Sequence, residues 1–374
     1  MKKFFMLQII ESFIVGALTI VLPLLMEQKN ISIVDIGIIF AIQPIVFQLV
    51  RLTFSILSEF YGRKVFFILN SFVTVLSNAV YYLAYSPVGY AFGKITEAIK
   101  DGTFWAVNRP YVMDHSEEKK KRLVQLRIFS SSSEAIGNLA AGFLIVWLFY
   151  QNTILFIVFV ALLAIPISLS LKDLPRSKFS LAKACRSLDF RNRTIEFKKF
   201  LILFLISGLS DGFIAGYVIT IFLNNMGMNV ELIGIILAVK LLITGMSTYI
   251  FTKIKITRLL LIGGLLYCAS ILLLGFSNVI FAIAVLILLG IANGFIVNAS
   301  EGFFSSVTSS ESYASDIGLL MTSFHTGRTA SLFASGFVIA SFGFPAVFIL
   351  SSLTYAIYTF FTYKVVKKKA FLYK

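Results

Sequence analysis

The sequence predicts an all-α membrane protein, with twelve transmembrane helices in two pseudo-symmetric six-helix bundles. Three observations predict it. The 374 residues are 58% hydrophobic and only 14% charged, with a mean hydropathy of +0.90. Soluble domains run about 45–50% apolar and about 25% charged, and disorder needs low hydrophobicity, so both are excluded. Twelve apolar runs follow one another along the chain, and basic residues crowd alternate junctions between them.

The first run, 4–26, follows Lys2 and Lys3 but lacks a small-x-small cleavage site, so it reads as a retained span and not a signal peptide. Runs 33–57 and 65–85 are long enough to cross about 30 Å of hydrocarbon at about 1.5 Å per residue. The fourth, 88–112, carries Lys94, Glu97, Lys100, Asp101 and Arg109. It counts as a span because Arg63–Lys64 and Lys119–Arg122 fall on one side only if runs three and four both cross. Runs 123–149 and 153–171 complete a first half, 1–171. A basic segment, 172–199, then links it to a second half, 200–374, with runs 200–223, 229–252, 257–276, 279–300, 317–340 and 344–363.

The positive-inside rule sets the orientation. With both termini cytoplasmic, inner segments hold 26 of the 33 Lys and Arg, and the outer loops hold only Lys29. The net charge of +15 is therefore a topology signal and argues against a nucleic-acid partner. The expected location is the cytoplasmic membrane. The linker is basic and amphipathic enough to lie on the inner leaflet, or serves as a solvated tether.

The halves resemble each other. Glu11-Ser-Phe-Ile-Val-Gly16 in run one matches Asp211-Gly-Phe-Ile-Ala-Gly216 in run seven. Ile36-Gly-Ile-Ile-Phe-Ala-Ile-Gln43 in run two matches Ile233-Gly-Ile-Ile-Leu-Ala-Val-Lys240 in run eight. Ala140-Ala-Gly-Phe143 in run five matches Ala334-Ser-Gly-Phe337 in run eleven. Duplication with a six-plus-six arrangement follows.

Charges inside spans cost about 2.5–3.5 kcal/mol each at mid-bilayer, so they must face one another or water. The set is Glu11, Glu97, Asp101, Glu134, Asp211 and Glu301 with Arg51, Lys94, Lys100, Arg109, Lys240 and Arg328. Runs three, six, nine and twelve carry none, so the third helix of each triplet is expected outside a polar interior. Glu11 and Asp211 are the expected proton-coupling carboxylates, since a buried carboxylate holds a proton more readily than one in water. Arg51, Lys240, Glu97, Asp101, Glu134 and Arg328 are the other candidates for coupling or substrate binding, with Arg51 or Lys240 expected beside an acid. Arg109 corresponds to Glu301, and Glu134 to Arg328. These opposite-sign couples are gate salt bridges or plain helix–helix contacts.

Between runs two and three stands Ser55-Ile-Leu-Ser-Glu59-Phe-Tyr-Gly62-Arg63-Lys64. It resembles the helix 2–3 loop signature of the major facilitator superfamily, with Glu59 in place of Asp, Ser55 of the first Gly and Phe60 of the first Arg. The resemblance implies a gating role for Glu59, Gly62, Arg63 and Lys64, with Glu59 beside Arg63. Ser133-Glu-Ala-Ile-Gly137-Asn138-Leu-Ala-Ala141-Gly142 is similar to the superfamily's antiporter signature, with Asn138 where Pro is usual. Small residues such as Gly137 and Gly142 also serve helix packing. Asn108-Arg-Pro-Tyr-Val-Met-Asp114 looks like the helix 4–5 region of drug-exporter-like members.

No phosphate-binding loop, dinucleotide fingerprint or catalytic constellation is present. Two Cys and two His, His115 and His325, support neither a disulfide framework nor a metal site. No enzyme activity, cofactor or metal is expected. The expected function is secondary active transport by alternating access: proton-coupled export of small amphiphilic compounds by an antiporter acting as a monomer. The alternatives are uptake of a small organic anion or nutrient and, from another class, a non-transporting membrane sensor or an integral-membrane enzyme. The expected partners are a small-molecule substrate, protons and the lipid bilayer.

Overall fold

The computed structural model describes residues 1–173, 195–251, 254–307 and 313–372. Most of the 172–199 linker lies outside them. All regular structure among the described residues is helical: α1 (Lys2–Gln28), α2 (Ile33–Tyr61), α3 (Arg63–Leu83), α4 (Pro87–Asp114), α5 (Lys119–Leu162), α6 (Ala164–Leu169), α7 (Ile195–Gly212), α8 (Val218–Asn225), α9 (Val230–Ile250), α10 (Ile256–Leu274), α11 (Val279–Val307), α12 (Tyr313–Phe342) and α13 (Phe344–Leu372).

Each apolar run falls in this set, with two departures from one run per helix. Runs five and six share α5, in which the backbone leaves helical geometry only at Phe149 (φ 62°, ψ 164°). Run seven is broken: α7 stops at Gly212, and α8 resumes at Val218 after a turn in which Gly216 has φ 65°. Among the described residues, eight stretches are long and apolar enough to cross a membrane, with residues 121–169 counting once. The helices that fall short are α4, with its six charges, the broken α7–α8 pair, and α12, which is rich in Ser, Thr and Gly.

Local chemistry sets the ends. The Ser32 hydroxyl accepts from the Asp35 N–H at 3.1 Å and caps α2. Ser86 caps α4 through the Gly89 N–H at 3.3 Å, with Pro87 in the first turn, where no N–H is needed. Gly62 alone joins α2 to α3 at φ 85°, a conformation that side chains with a Cβ avoid.

Two compact units result, Met1–Leu181 with Met228–Ala238, and Ala182–Gly227 with Val239–Lys374. In the first, α1 packs along α5, α2 along α4, and α3 against α4, α5 and α6. In the second, α7 packs along α12 and α13, and α10 along α11 and α13. Both units thus pair their first span with their fifth, and their third with their sixth. The glycines explain the closest crossings. A Cβ on Gly16 would meet the Glu134 carbonyl, and one on Gly137 the Phe13 carbonyl, so α1 and α5 touch backbone to backbone. In the second unit Gly208 lies against the Phe324 carbonyl and Gly327 against the Leu205 carbonyl. Gly142 faces Glu231 and Gly234 of α9 at about 3 Å from its Cβ position, within the first unit. Gly137 and Gly142 each lie where another helix's backbone comes close.

Gly137→Ala should destabilise the protein by about 1–3 kcal/mol through overpacking. Gly245→Ala, at a position with nothing within 4 Å, should leave stability unchanged or slightly raised. Thermal unfolding of the two purified variants checks the crossing; equal melting temperatures would contradict it.

Candidate functional site

The buried charges of the first unit form one connected cluster. α4 places Lys94, Glu97, Lys100 and Asp101 within two turns, and Lys94 (3%), Glu97 (5%) and Lys100 (1%) are almost fully buried. Three apart in the helix, Lys94 and Glu97 share a face and pair at 2.8 Å. Lys94 also lies 4.2 Å over the Phe40 ring. The Lys100 ammonium lies 2.9 Å from Asp101 Oδ1 and 3.8 Å from Glu11 Oε2.

Neutral groups join these charges. The Gln43 amide, on α2, donates to Glu97 Oε1 at 3.2 Å and to Asp101 Oδ2 at 3.0 Å, and its oxygen accepts from Lys94 at 3.3 Å. Tyr81 donates its hydroxyl to Glu97. Glu11 accepts from Asn70 Nδ2 at 2.6 Å and lies 3.0 Å from the Thr74 hydroxyl, which itself donates to the Asn70 carbonyl at 2.8 Å. Gln8, one turn before Glu11, donates instead to Ser12 at 2.8 Å.

Three carboxylates, Glu11, Glu97 and Asp101, thus meet two ammoniums, Lys94 and Lys100. The shorter distances assign Lys94 to Glu97 and Lys100 to Asp101. Glu11 is the acid left over, held chiefly by neutral donors. A cavity of about 60 Å³ opens beside it, lined by Gln8, Glu11, Ser12, Asp101, Ser130 and Glu134, with Val15, Phe104 and Trp105 as its apolar residues. That volume holds about four waters at about 15 Å³ each.

In the second unit Asp211 pairs with Arg328 at 3.2 Å. The bases beside the two repeated acids are therefore Lys100 and Arg328, not Arg51 and Lys240 as expected. Arg51 lies near Arg109, whose like charge opposes it. Both Lys240 and Asp101 are only partly buried. Arg328 has a carboxylate, Asp211, within its own unit. Arg109 is exposed, and the Glu301 side chain lies outside the described residues.

The α2–α3 joint is built differently from the expectation as well. Glu59 is exposed, and the carboxylate partner of Arg63 is Asp114, at the end of α4, with Nε–Oδ2 at 3.4 Å. Arg63 also donates to the Ser58 hydroxyl. The Asp173 carboxylate accepts from the Arg63 N–H at 3.2 Å, at the N-terminus of α3, where unpaired N–H groups and the helix dipole favour an anion. Gly62 has no Cβ because Asp173 occupies that space. Lys64, beside it, is half-buried.

A count of ionised residues leaves out what the third spans supply. α3 carries no ionised residue facing the interior, yet it supplies Asn70, Thr74 and Tyr81 to the cluster. Its polar residues Asn70, Thr74 and Asn78 recur every fourth position on one buried face, a signal that counting neutral side chains would have found. α10 likewise brings Tyr267, hydrogen-bonded to Ser210, beside Asp211.

The sequence profile of the Major Facilitator Superfamily matches residues 4–258. No curated protein matches the chain by sequence. Two crystal structures of the nucleoside transporter NupG are similar in fold. One, of a mutant, has a TM-score of 0.83 at 12% identity, covering 97% of this chain and 98% of that one. The other has a TM-score of 0.80 at 13% identity, with 98% of each chain covered.

Charge parity in the first-unit cluster has a measurable consequence. Lys100→Met should destabilise the protein by about 3–5 kcal/mol, because it leaves a buried carboxylate unmatched. Adding Asp101→Asn should recover most of that loss. Thermal unfolding of both variants checks it, and a double variant no more stable than the single one would refute the pairing.

Proposed function

The chain belongs to the major facilitator superfamily of membrane transporters, and from that membership we propose that it is a proton-coupled secondary transporter that takes up a small polar organic solute by alternating access. The observation that carries the reading is the excess of acids in the α4 cluster, where Glu11, Glu97 and Asp101 meet only Lys94 and Lys100. Two acids have an ammonium each, and Glu11 has Asn70 and Thr74. A lone ionised carboxylate in such surroundings is costly, and a bound proton removes the cost.

The hydrogen bonds support the same assignment. Thr74 has one hydroxyl proton and two acceptors, the Asn70 carbonyl and Glu11. A protonated Glu11 ends the competition by donating to Thr74. When Glu11 loses that proton, Lys100, 3.8 Å away, is the cation that can turn towards it and leave Asp101. Protonation would thereby redistribute charge along α4 and, through Gln43, along α2. Two helices would sense one proton, as alternating access requires.

Uptake is preferred to export of amphiphilic compounds for two reasons. The cavity sets Gln8, Glu11, Ser12, Asp101, Ser130 and Glu134 against Val15, Phe104 and Trp105, and the six polar residues suit a solute with several hydrogen-bonding groups. Two structures similar in fold are named for nucleoside transport. Export of an amphiphile by proton exchange is the second reading, and the exposed Trp105 ring beside the carboxylates favours it, since that pairing suits an amphiphilic cation.

Glu11→Gln should abolish uptake driven by an inward proton gradient in proteoliposomes and spare gradient-free counterflow. In the unsubstituted protein, uptake should rise as the outside pH falls, because the loaded carrier needs the proton. Loss of both fluxes would make Glu11 a binding or folding residue, and loss of neither would remove it from the mechanism. Stimulation of efflux, and not uptake, by an inward proton gradient would favour the exporter reading.

A further inference from the structure

The second unit breaks its first span directly after Asp211. α7 ends at Gly212, the chain turns, and α8 begins at Val218. Asp211 lies eleven residues into the apolar run that starts at 200, and Arg328 eleven into the run that starts at 317. At about 1.5 Å per residue both sit about 16 Å deep, near the middle of a hydrocarbon layer about 30 Å thick. Their side chains are nevertheless 36% and 33% exposed. An ion pair so exposed at that depth does not face lipid. Broken helix at membrane depth occurs only where it is buried in protein or lines a water-filled space. The Asp211–Arg328 pair therefore opens on water.

The exposure is divided atom by atom. Asp211 Oδ2 and Arg328 Nε, 3.2 Å apart, are both buried. What remains open is Asp211 Oδ1 and the two terminal guanidinium nitrogens. No hydrogen bond uses them among the described residues. The pair is also rigidly mounted. A Cβ on Gly212 would meet both the Ser331 hydroxyl and the Arg328 carbonyl, so α7 and α12 are in backbone contact at this level. Behind Asp211, Ser210 and Ser351 exchange hydroxyl-to-carbonyl bonds at 2.8 Å in both directions. Tyr267 packs on Tyr355 with ring centroids 4.1 Å apart.

A fixed acceptor beside fixed donors selects its complement. A simple anion meets Asp211, and a simple cation meets Arg328, so each gains little from the pair. A neutral group with an N–H beside a C=O satisfies both: the N–H donates to Oδ1 and the C=O accepts from a guanidinium nitrogen. We infer that Asp211 and Arg328 form the recognition element for the transported solute, and that this solute presents an amide or lactam edge. The inference rests on the transporter reading above and adds the chemistry of the cargo. It also separates the repeated acids, with Glu11 taking the proton and Asp211 the solute.

The test uses pairs of compounds that differ only in the lactam N–H. Binding to the purified full chain is measured by thermal shift for uridine against 3-methyluridine and inosine against 1-methylinosine. At least one parent should bind, and its N-methyl partner should bind about tenfold more weakly or worse, the range of a good two-point contact. Asp211→Asn and Arg328→Gln should reduce that discrimination. Equal binding of parent and methylated compound would overturn the inference, as would no binding by either parent. If the parents fail while a proton gradient still drives another solute, the inference falls and the transporter reading stands. If no solute responds to a gradient, the transporter reading falls, whatever the lactams bind.

Discussion

The ammonium of Lys100 is 1% exposed, and its surroundings are arranged to make that tolerable. Removing such a group from water costs several kcal/mol, which a carboxylate offsets only at close range and with its other lone pairs satisfied. Asp101 supplies the close range, and Gln43 satisfies the second Asp101 oxygen. Gln43 can do so only if α2 lies along α4. Glu11 comes within 3.8 Å of the ammonium only if α1 lies there too. The packing of the first unit and the neutralisation of its buried charges are thus one condition. The same condition leaves three carboxylates around two ammoniums, with Glu11 held chiefly by neutral donors.

Glycine makes the close approach possible. Where α1 crosses α5, and where α7 crosses α12, a carbonyl of one helix occupies the space of a missing Cβ on the other. Helices in lipid gain little from burying apolar surface against each other, so contact of this kind is a main source of cohesion. The two units share it, together with their order of helix pairing. They differ in what the crossing carries. In the first unit Glu11 meets neutral side chains, and in the second Asp211 meets Arg328. The two units share these pairings and crossings while their two acids have different neighbours.

The joint between α2 and α3 shows a second use of the same economy. A single glycine turns the chain, the Asp173 carboxylate fills the space above it, and Arg63 reaches the end of α4. Three segments far apart in sequence meet around one residue without a side chain. The Tyr111 hydroxyl adds a bond to the Lys172 carbonyl at 3.1 Å, so the start of the linker is tied to the first unit from two sides.

Much of this was written in the chain itself. Hydropathy placed most of the helices, because a segment in hydrocarbon must present apolar side chains along its length. Alternating basic clusters supported α4 despite its six charges. The repeat marked Glu11 and Asp211, and the spacing of Lys94 and Glu97 on one helix face already implied their pairing. What tertiary structure decided was the partner of each charge. Lys100 and Arg328 stand beside the repeated acids, Asp114 beside Arg63, and Asn70, Thr74 and Tyr81 reach in from a helix that a count of ionised residues had set aside. Periodicity is a property of one helix and is legible along it. A distance between helices depends on where glycines let backbones touch and on which neutral donors lie opposite, and both arise only when the helices pack.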